Sequence, residues 1–116
     1  MTPRQRAEDV RAVEGLKERF FRAHSKDLPR AKDAWDGLLA RQEFLLADPA
    51  WGEPVPKSRI PKPLRHLPNL YLIPELPHRF RALYTVLFRS GTPIIIVIEW
   101  IGDHKEYDKL FGYSTS

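Results

Sequence analysis

The sequence predicts an α+β fold: an N-terminal helical hairpin packed on a small antiparallel meander of three or four strands, closed by a short C-terminal helix. Three observations carry this. Apolar residues recur at steps of three and four through residues 1–49, strand-length apolar blocks follow residue 70, and eight of the eleven prolines fall between Pro49 and Pro77, where fixed φ and missing N–H groups exclude a long helix. At 116 residues the chain is expected to form one domain, 1–116. Its parts would be a hairpin over 1–49, a basic proline-rich loop over 50–69, and sheet plus helix over 70–116.

The elements follow in order. Thr2 and Gln5 have capping-box spacing with Pro3 at a first helical position, and Val10, Val13, Leu16, Phe20 and Phe21 mark one stripe, so a first helix is expected almost from the terminus. His24-Ser25-Lys26-Asp27 interrupts it. Asp27 before Leu28-Pro29 opens a second helix with Ala31, Trp35, Leu38, Leu39, Leu45 and Leu46 on one face, ended by Asp48-Pro49. Strands are predicted at Leu70 to Glu75, Phe80 to Arg89 and Ile94 to Ile101, the last two joined through Ser90-Gly91-Thr92. In the middle strand Ala82, Tyr84, Val86 and Phe88 share one face, and Arg81, Leu83, Thr85, Leu87 and Arg89 the other. Ile94 to Ile98 is apolar on both faces and is expected to be the most buried strand. Asp103 caps a final helix through Phe111, which Gly112 ends. Trp35 and Trp51 are expected to pack.

Charge is unevenly placed. The whole chain carries +4, and residues 1–50 are nearly balanced with ten basic and nine acidic side chains. Residues 54–92 carry seven basic side chains (Lys57, Arg59, Lys62, Arg65, Arg79, Arg81 and Arg89) against the single acid Glu75. Grouped cations repel one another unless an anion joins them, and phosphate is the common anion that takes several at once. A solvated loop with its arginines paired to helix acids is the plainer alternative. Cysteine is absent, which removes disulfides, thiolate nucleophiles and sulfur-ligated metals. No apolar run approaches the roughly 18 residues of a membrane span, and no apolar stretch follows the charged start as in a signal peptide, so a cytoplasmic protein is expected. Asp103, His104, Glu106 and Asp108 lie on several faces of one turn, which argues against a metal there, and no Gly-rich phosphate loop is present. His104 follows the apolar strand with Tyr107 three residues on, a pair able to move a proton and to stack on a base.

The run Asn69-Leu70-Tyr71-Leu72-Ile73-Pro74-Glu75-Leu76, then Arg79-Phe80-Arg81-Ala82-Leu83-Tyr84-Thr85-Val86, then Gly102-Asp103-His104-Lys105-Glu106-Tyr107-Asp108-Lys109-Leu110, resembles the RelE/ParE toxin superfamily, its ending the RelE-type and HigB-type toxins of type II toxin–antitoxin pairs. The resemblance covers roughly residues 50–113 and the hairpin before them. It implies an endoribonuclease that cuts mRNA, usually at the ribosome, without metal or cofactor, and is held inactive by a cognate antitoxin protein. The ribose 2′-hydroxyl attacks, the 5′-oxygen leaves, and a 2′,3′-cyclic phosphate forms. By position, Arg81 would clamp the phosphate, His104 would protonate the leaving oxygen, and Tyr107 would stack on a base. Lys57 and Arg59 stand where the family's loop supplies catalytic cations, with Lys62, Arg65, Arg79 and Lys105 as RNA-binding residues. The chain departs from the family in one respect: those toxins open with a β-strand at the sheet edge, and a helix is expected here. The ParE branch shares the fold but poisons gyrase, so a non-nuclease interaction protein, a gyrase-inhibiting toxin or an inert antitoxin partner, is the alternative.

Overall fold

A computed structural model describes residues 6–112. It is an α+β structure whose five-stranded mixed sheet has the order β1-β5-β4-β3-β2. The strands are β1 (Asp9–Ala12), β2 (Glu53–Pro54), β3 (Tyr71–Leu76), β4 (Phe80–Arg89) and β5 (Thr92–Asp103). The helices are α1 (Leu16–Ala23), α2 (Leu28–Ala40), α3 (Gln42–Ala47) and α4 (His104–Phe111).

The largest correction lies at the start. Residues 9–12 form a strand parallel to β5, with Val10 opposite Ile96 and Ala12 opposite Ile98. The spacing of Val10, Val13, Leu16 and Phe20 suits a helix locally, but β5 needs an edge partner, and the β-branched Val10 takes that place. The hydrogen bonds Glu8 N–H to Ile94 O (2.7 Å) and Val13 N–H to Ile98 O (3.0 Å) extend the pairing. Gly15, at φ 78°, turns the chain into α1. Thr2, Pro3 and Gln5, the expected helix start, lie outside the described residues. The meander is therefore a five-stranded mixed sheet rather than a three- or four-stranded antiparallel one.

The second helix begins after Asp27 as its sequence requires, although Asp27 makes no side-chain cap bond. It breaks at Arg41, whose guanidinium donates to Gly37 O (2.7 Å) and to Glu75 O of β3 (2.8 Å), so α3 departs from α2 and buries Leu45 against the sheet. Leu39 is left exposed by that break. Trp35 packs as expected, whereas Trp51 is 42% exposed and stacks on the exposed Phe44.

Phe80 to Arg89 is a strand over its whole predicted length. Ser90 and Gly91 take φ of 51° and 79°, the left-handed pair of a tight hairpin. The two faces of β4 divide as alternation demands: Ala82, Tyr84 and Val86 join Phe20, Trp35 and Leu38 under the helices, and Leu83 packs on the far face with Ile60, Leu70, Leu72 and Tyr107. The most buried strand is β4, not β5, because β5 meets only the four-residue β1 on its other side, so Ile94, Ile95 and Val97 stay half-buried. At the end of β5, Asp103 and Glu106 form a complete capping box, and Gly112 closes α4 at φ 75°.

The far face of the sheet is covered by the 50–69 loop and α4. The loop is held at both ends by adjacent residues of β4. Near its start the buried Tyr84 hydroxyl donates to Pro49 O (2.9 Å) and accepts from Gly52 N–H (2.8 Å). A Cβ on Gly52 would lie 2.8 Å from that hydroxyl and from Leu72 O, so only glycine permits the approach. At its end Asn69 accepts from Val86 N–H (2.8 Å) and the Thr85 hydroxyl (2.9 Å), and its amide donates to Val86 O (2.9 Å), prolonging the β3–β4 ladder with a side chain. Tyr84→Phe, which strands the Gly52 N–H and removes a partner from Pro49 O, is expected to lower unfolding free energy by about 2–3 kcal/mol in urea titration. Asn69→Ala is expected to speed proteolytic nicking within 50–69 before global unfolding.

Candidate nucleic-acid interface

Proline organises the basic loop. Pro56 and Pro61, both at ψ near 145°, each lead into a one-turn 3-10 segment, Lys57–Arg59 and Lys62–Leu64. Ile60 is 3% exposed, and Val55, Leu64 and Leu67 pack partly buried beside it on Leu70, Leu72, Leu83 and Tyr107. With the apolar residues facing the sheet, Lys57, Arg59, Lys62 and Arg65 are left exposed on the outer side. The Arg65 Nε donates to Ile60 O (3.2 Å), which ties the two turns together.

Between these turns and the end of α4 lies an open cleft of ≈ 560 Å³, bounded by Arg59, Lys62, Arg65, Lys109 and Phe111. Among the described residues, no carboxylate side chain lines it. Three of the predicted loop cations meet here; Lys57 lies outside the lining, and Lys105 is exposed elsewhere on α4. Lys109 was missed by sequence reasoning. Its signal was its place in α4, four residues past Lys105 and two past Tyr107, but only the fold brings the loop beside it.

Arg81 stands on β4 opposite Gly102, with its guanidinium carbon 4.5 Å from the centre of the Tyr107 ring. Tyr107 in turn lies 4.4 Å from Phe111, ring centre to ring centre. The aromatic pair thus joins Arg81 to the cleft. Tyr107 is only 7% exposed, so its ring supports Arg81 from below rather than standing open for a base. Phe111 is the α4 aromatic that borders the cleft. Arg79 and Arg81 line a second, smaller cleft of ≈ 390 Å³ with Pro74, Glu75 and Leu76. Among the described residues, none of Lys57, Arg59, Lys62, Arg65, Arg79, Arg81, Lys105 and Lys109 makes an ion pair. His104 opens α4, half-buried, and its ring makes no hydrogen bond or ring contact with another described residue.

A different histidine is engaged. His24, at the end of α1, packs between Phe20 and Phe80, with ring centres 5.0 and 5.1 Å away, and its Nε2 is 2.6 Å from Glu106 Oε1. Ligand atoms of His24, Asp103 and Glu106 lie within 4.8 Å of one another, the one such group among the described residues. Glu106 Oε1 also accepts from Asp103 N–H (2.9 Å), and Asp103 Oδ1 from Glu106 N–H (2.8 Å), so these side chains tie α1 to the capped start of α4. The pair spans 82 residues and has no local sequence signal.

Glu99 was also missed. The β4–β5 register passes from Leu83 opposite Trp100 to Tyr84 opposite Ile98, leaving Glu99 on a bulge. Burial raises its carboxyl above the usual carboxylate range, with the charge of His66 opposing. A carboxyl raised by folding withdraws stability as pH rises through the interval between its unfolded and folded values. Glu99→Gln is therefore expected to raise Tm at pH 7, with the gain vanishing below pH of about 4, where both states hold the proton.

Compared with protein-family models and with curated proteins, the chain matches no family model and no curated sequence.

Proposed function

We propose that this chain is a RelE/HigB-type toxin, a metal-independent endoribonuclease that binds single-stranded mRNA across the face formed by the basic loop and α4. The observation that carries the reading is the ≈ 560 Å³ cleft bounded by Arg59, Lys62, Arg65 and Lys109, with no acid among the described residues of its wall. Four cations held this way by a folded loop suit a run of phosphates, and an aromatic at the edge suits an unstacked base. The edge strand β1 supplies the feature of the toxin superfamily that the sequence reading lacked, which supports the same assignment.

In this reading Arg81, braced on Tyr107, holds the scissile phosphate. The 2′-hydroxyl loses its proton to solvent water as its oxygen bonds to phosphorus and the bond to the 5′-oxygen breaks, and His104 gives a proton to that leaving oxygen. Lys57, Arg59 and the other cations stabilise the charge that grows on the phosphorane. A cognate antitoxin would compete for this face with an acidic or amphipathic segment, and the ribosome would supply the mRNA together with rRNA contacts. The second reading, a gyrase-binding or inert relative, is favoured by one observation: His104 has no described partner to orient it.

Binding of a fluorescent single-stranded RNA should fall with salt at a log–log slope of about −3.5, for four phosphates in the cleft and the one on Arg81 at ~0.7 each. Lys109→Ala should bring it to about −3. Expression of the native chain should arrest growth with fragments ending in 2′,3′-cyclic phosphate, and an Arg81→Ala/His104→Ala chain should not. Growth arrest with intact RNA would favour the second reading; no arrest by the native chain would defeat the toxin assignment.

A further inference from the structure

The connection from β3 to β4, Pro77-His78-Arg79, holds two successive non-glycine residues in the left-handed region, His78 at φ 61° and Arg79 at φ 65°. A tight turn that needs two positive φ values ordinarily takes Asn-Gly, because a Cβ crowds the backbone there. Strain of this kind persists only where the surroundings fix it.

Here the surroundings are one stripe of α2. Asp33, Gly37 and Arg41 recur at steps of four and so lie on the same face of the helix. Asp33 Oδ2 is 2.8 Å from His78 Nε2. Gly37 admits Pro77, since a Cβ at that position would come within 2.5 Å of Pro77 Cδ. Arg41, just past the helix end, donates to Glu75 O (2.8 Å). The three residues grip the chain at 75, 77 and 78, immediately before Arg79. Glycine inside a helix is unfavourable, and an arginine at positive φ is unfavourable, yet the two occur together around one turn.

The result of the grip is the placement of Arg79. Its exposed side chain shares the ≈ 390 Å³ cleft with Arg81, whose own position is fixed on the Tyr107 ring. Neither guanidinium makes an ion pair among the described residues, and the one acid in the cleft wall is Glu75. We infer that the Asp33, Gly37 and Arg41 stripe of α2 positions Arg79 beside Arg81 as a two-guanidinium clamp for one phosphate of the RNA. The inference rests on the RNA-binding reading. It pairs Arg79, already expected to bind RNA, with Arg81 on a single phosphate, and it adds a positioning residue outside the basic region, Asp33, acting through His78.

The test uses the full chain, a fluorescent single-stranded RNA oligonucleotide and thermal unfolding. Arg79→Gly removes the strain and the cation together. It should raise Tm and weaken RNA binding about tenfold, and reduce the salt slope by less than the ~0.7 of a whole phosphate, because Arg81 still holds that phosphate. Arg79→Lys should keep the slope and lose part of the affinity, because a two-pronged contact becomes a point charge. Asp33→Ala should weaken binding severalfold, Asp33→Asn, which still offers an oxygen to His78, should restore it, and Asp33→Ala in the Arg79→Gly background should add no further loss. The inference is overturned if Arg79→Gly binds RNA as tightly as the native chain, or if the Asp33 and Arg79 effects simply add. If the native chain itself binds no RNA, the broader reading fails with it, so the two failures are told apart by the native control.

Discussion

Tyr84 and its two strand successors fix the loop that gives this molecule its chemical character. The Tyr84 hydroxyl, buried and bonded on both sides, holds Pro49 and Gly52; Thr85 and Val86 hold Asn69. Burial pushes the phenol above its ordinary range, which favours the neutral form that both donates and accepts here. A loop of this length left free would sacrifice much entropy on binding a charged ligand. Clamped at both ends to the most buried strand, and stiffened by prolines that restrict its unfolded states, it presents its cations already ordered. Tyr71, stacked on Tyr84 at 5.2 Å, carries the same anchoring into β3.

The second consequence of that anchoring is a third layer. With α1, α2 and α3 on one face of the sheet, the other face would expose Leu70, Leu72 and Leu83. The loop covers them with Ile60 and its neighbours, and α4 with Tyr107, Leu110 and Phe111. Both covering elements carry cations on their outer sides, so the packing that buries the apolar face is also what brings Arg59, Lys62 and Arg65 next to Lys109. Core and interface are therefore coupled here: an Ile60 substitution acts on the cation array through packing, without touching a charge.

Where structure is set by near neighbours, it was legible in the sequence. β4 runs from Phe80 to Arg89 because alternation is uninterrupted there, and α4 is bounded by Asp103 and Gly112 because caps are local chemistry. The errors came where a distant partner decided. Val10 suits a helix stripe or an edge strand, and the choice is made by β5, more than 80 residues later in the chain. Arg41 breaks α2 through a carbonyl on β3. Within the candidate site, the loop cations and Arg81 could be read from composition and motif. Lys109, His24, Glu99 and the support given by Asp33 could not, because each gains meaning only from an element remote in sequence.

Charge arithmetic shows why such support is needed. A net +4 spread over the surface would cost little, but the cations cluster at two clefts joined by an aromatic pair, without carboxylate partners among the described residues. Left to relax, long side chains on exposed loops would separate. Each cluster is instead held by a device that does not depend on charge: Ile60 burial and the Arg65-to-Ile60 bond at the larger cleft, the Tyr107 ring and a left-handed turn gripped by α2 at the smaller. Repulsion among fixed cations and strain at Arg79 both lower the stability of the unliganded protein. Both are relieved or put to use when a polyanion arrives, and a site built this way gains affinity for the same reason that it loses stability.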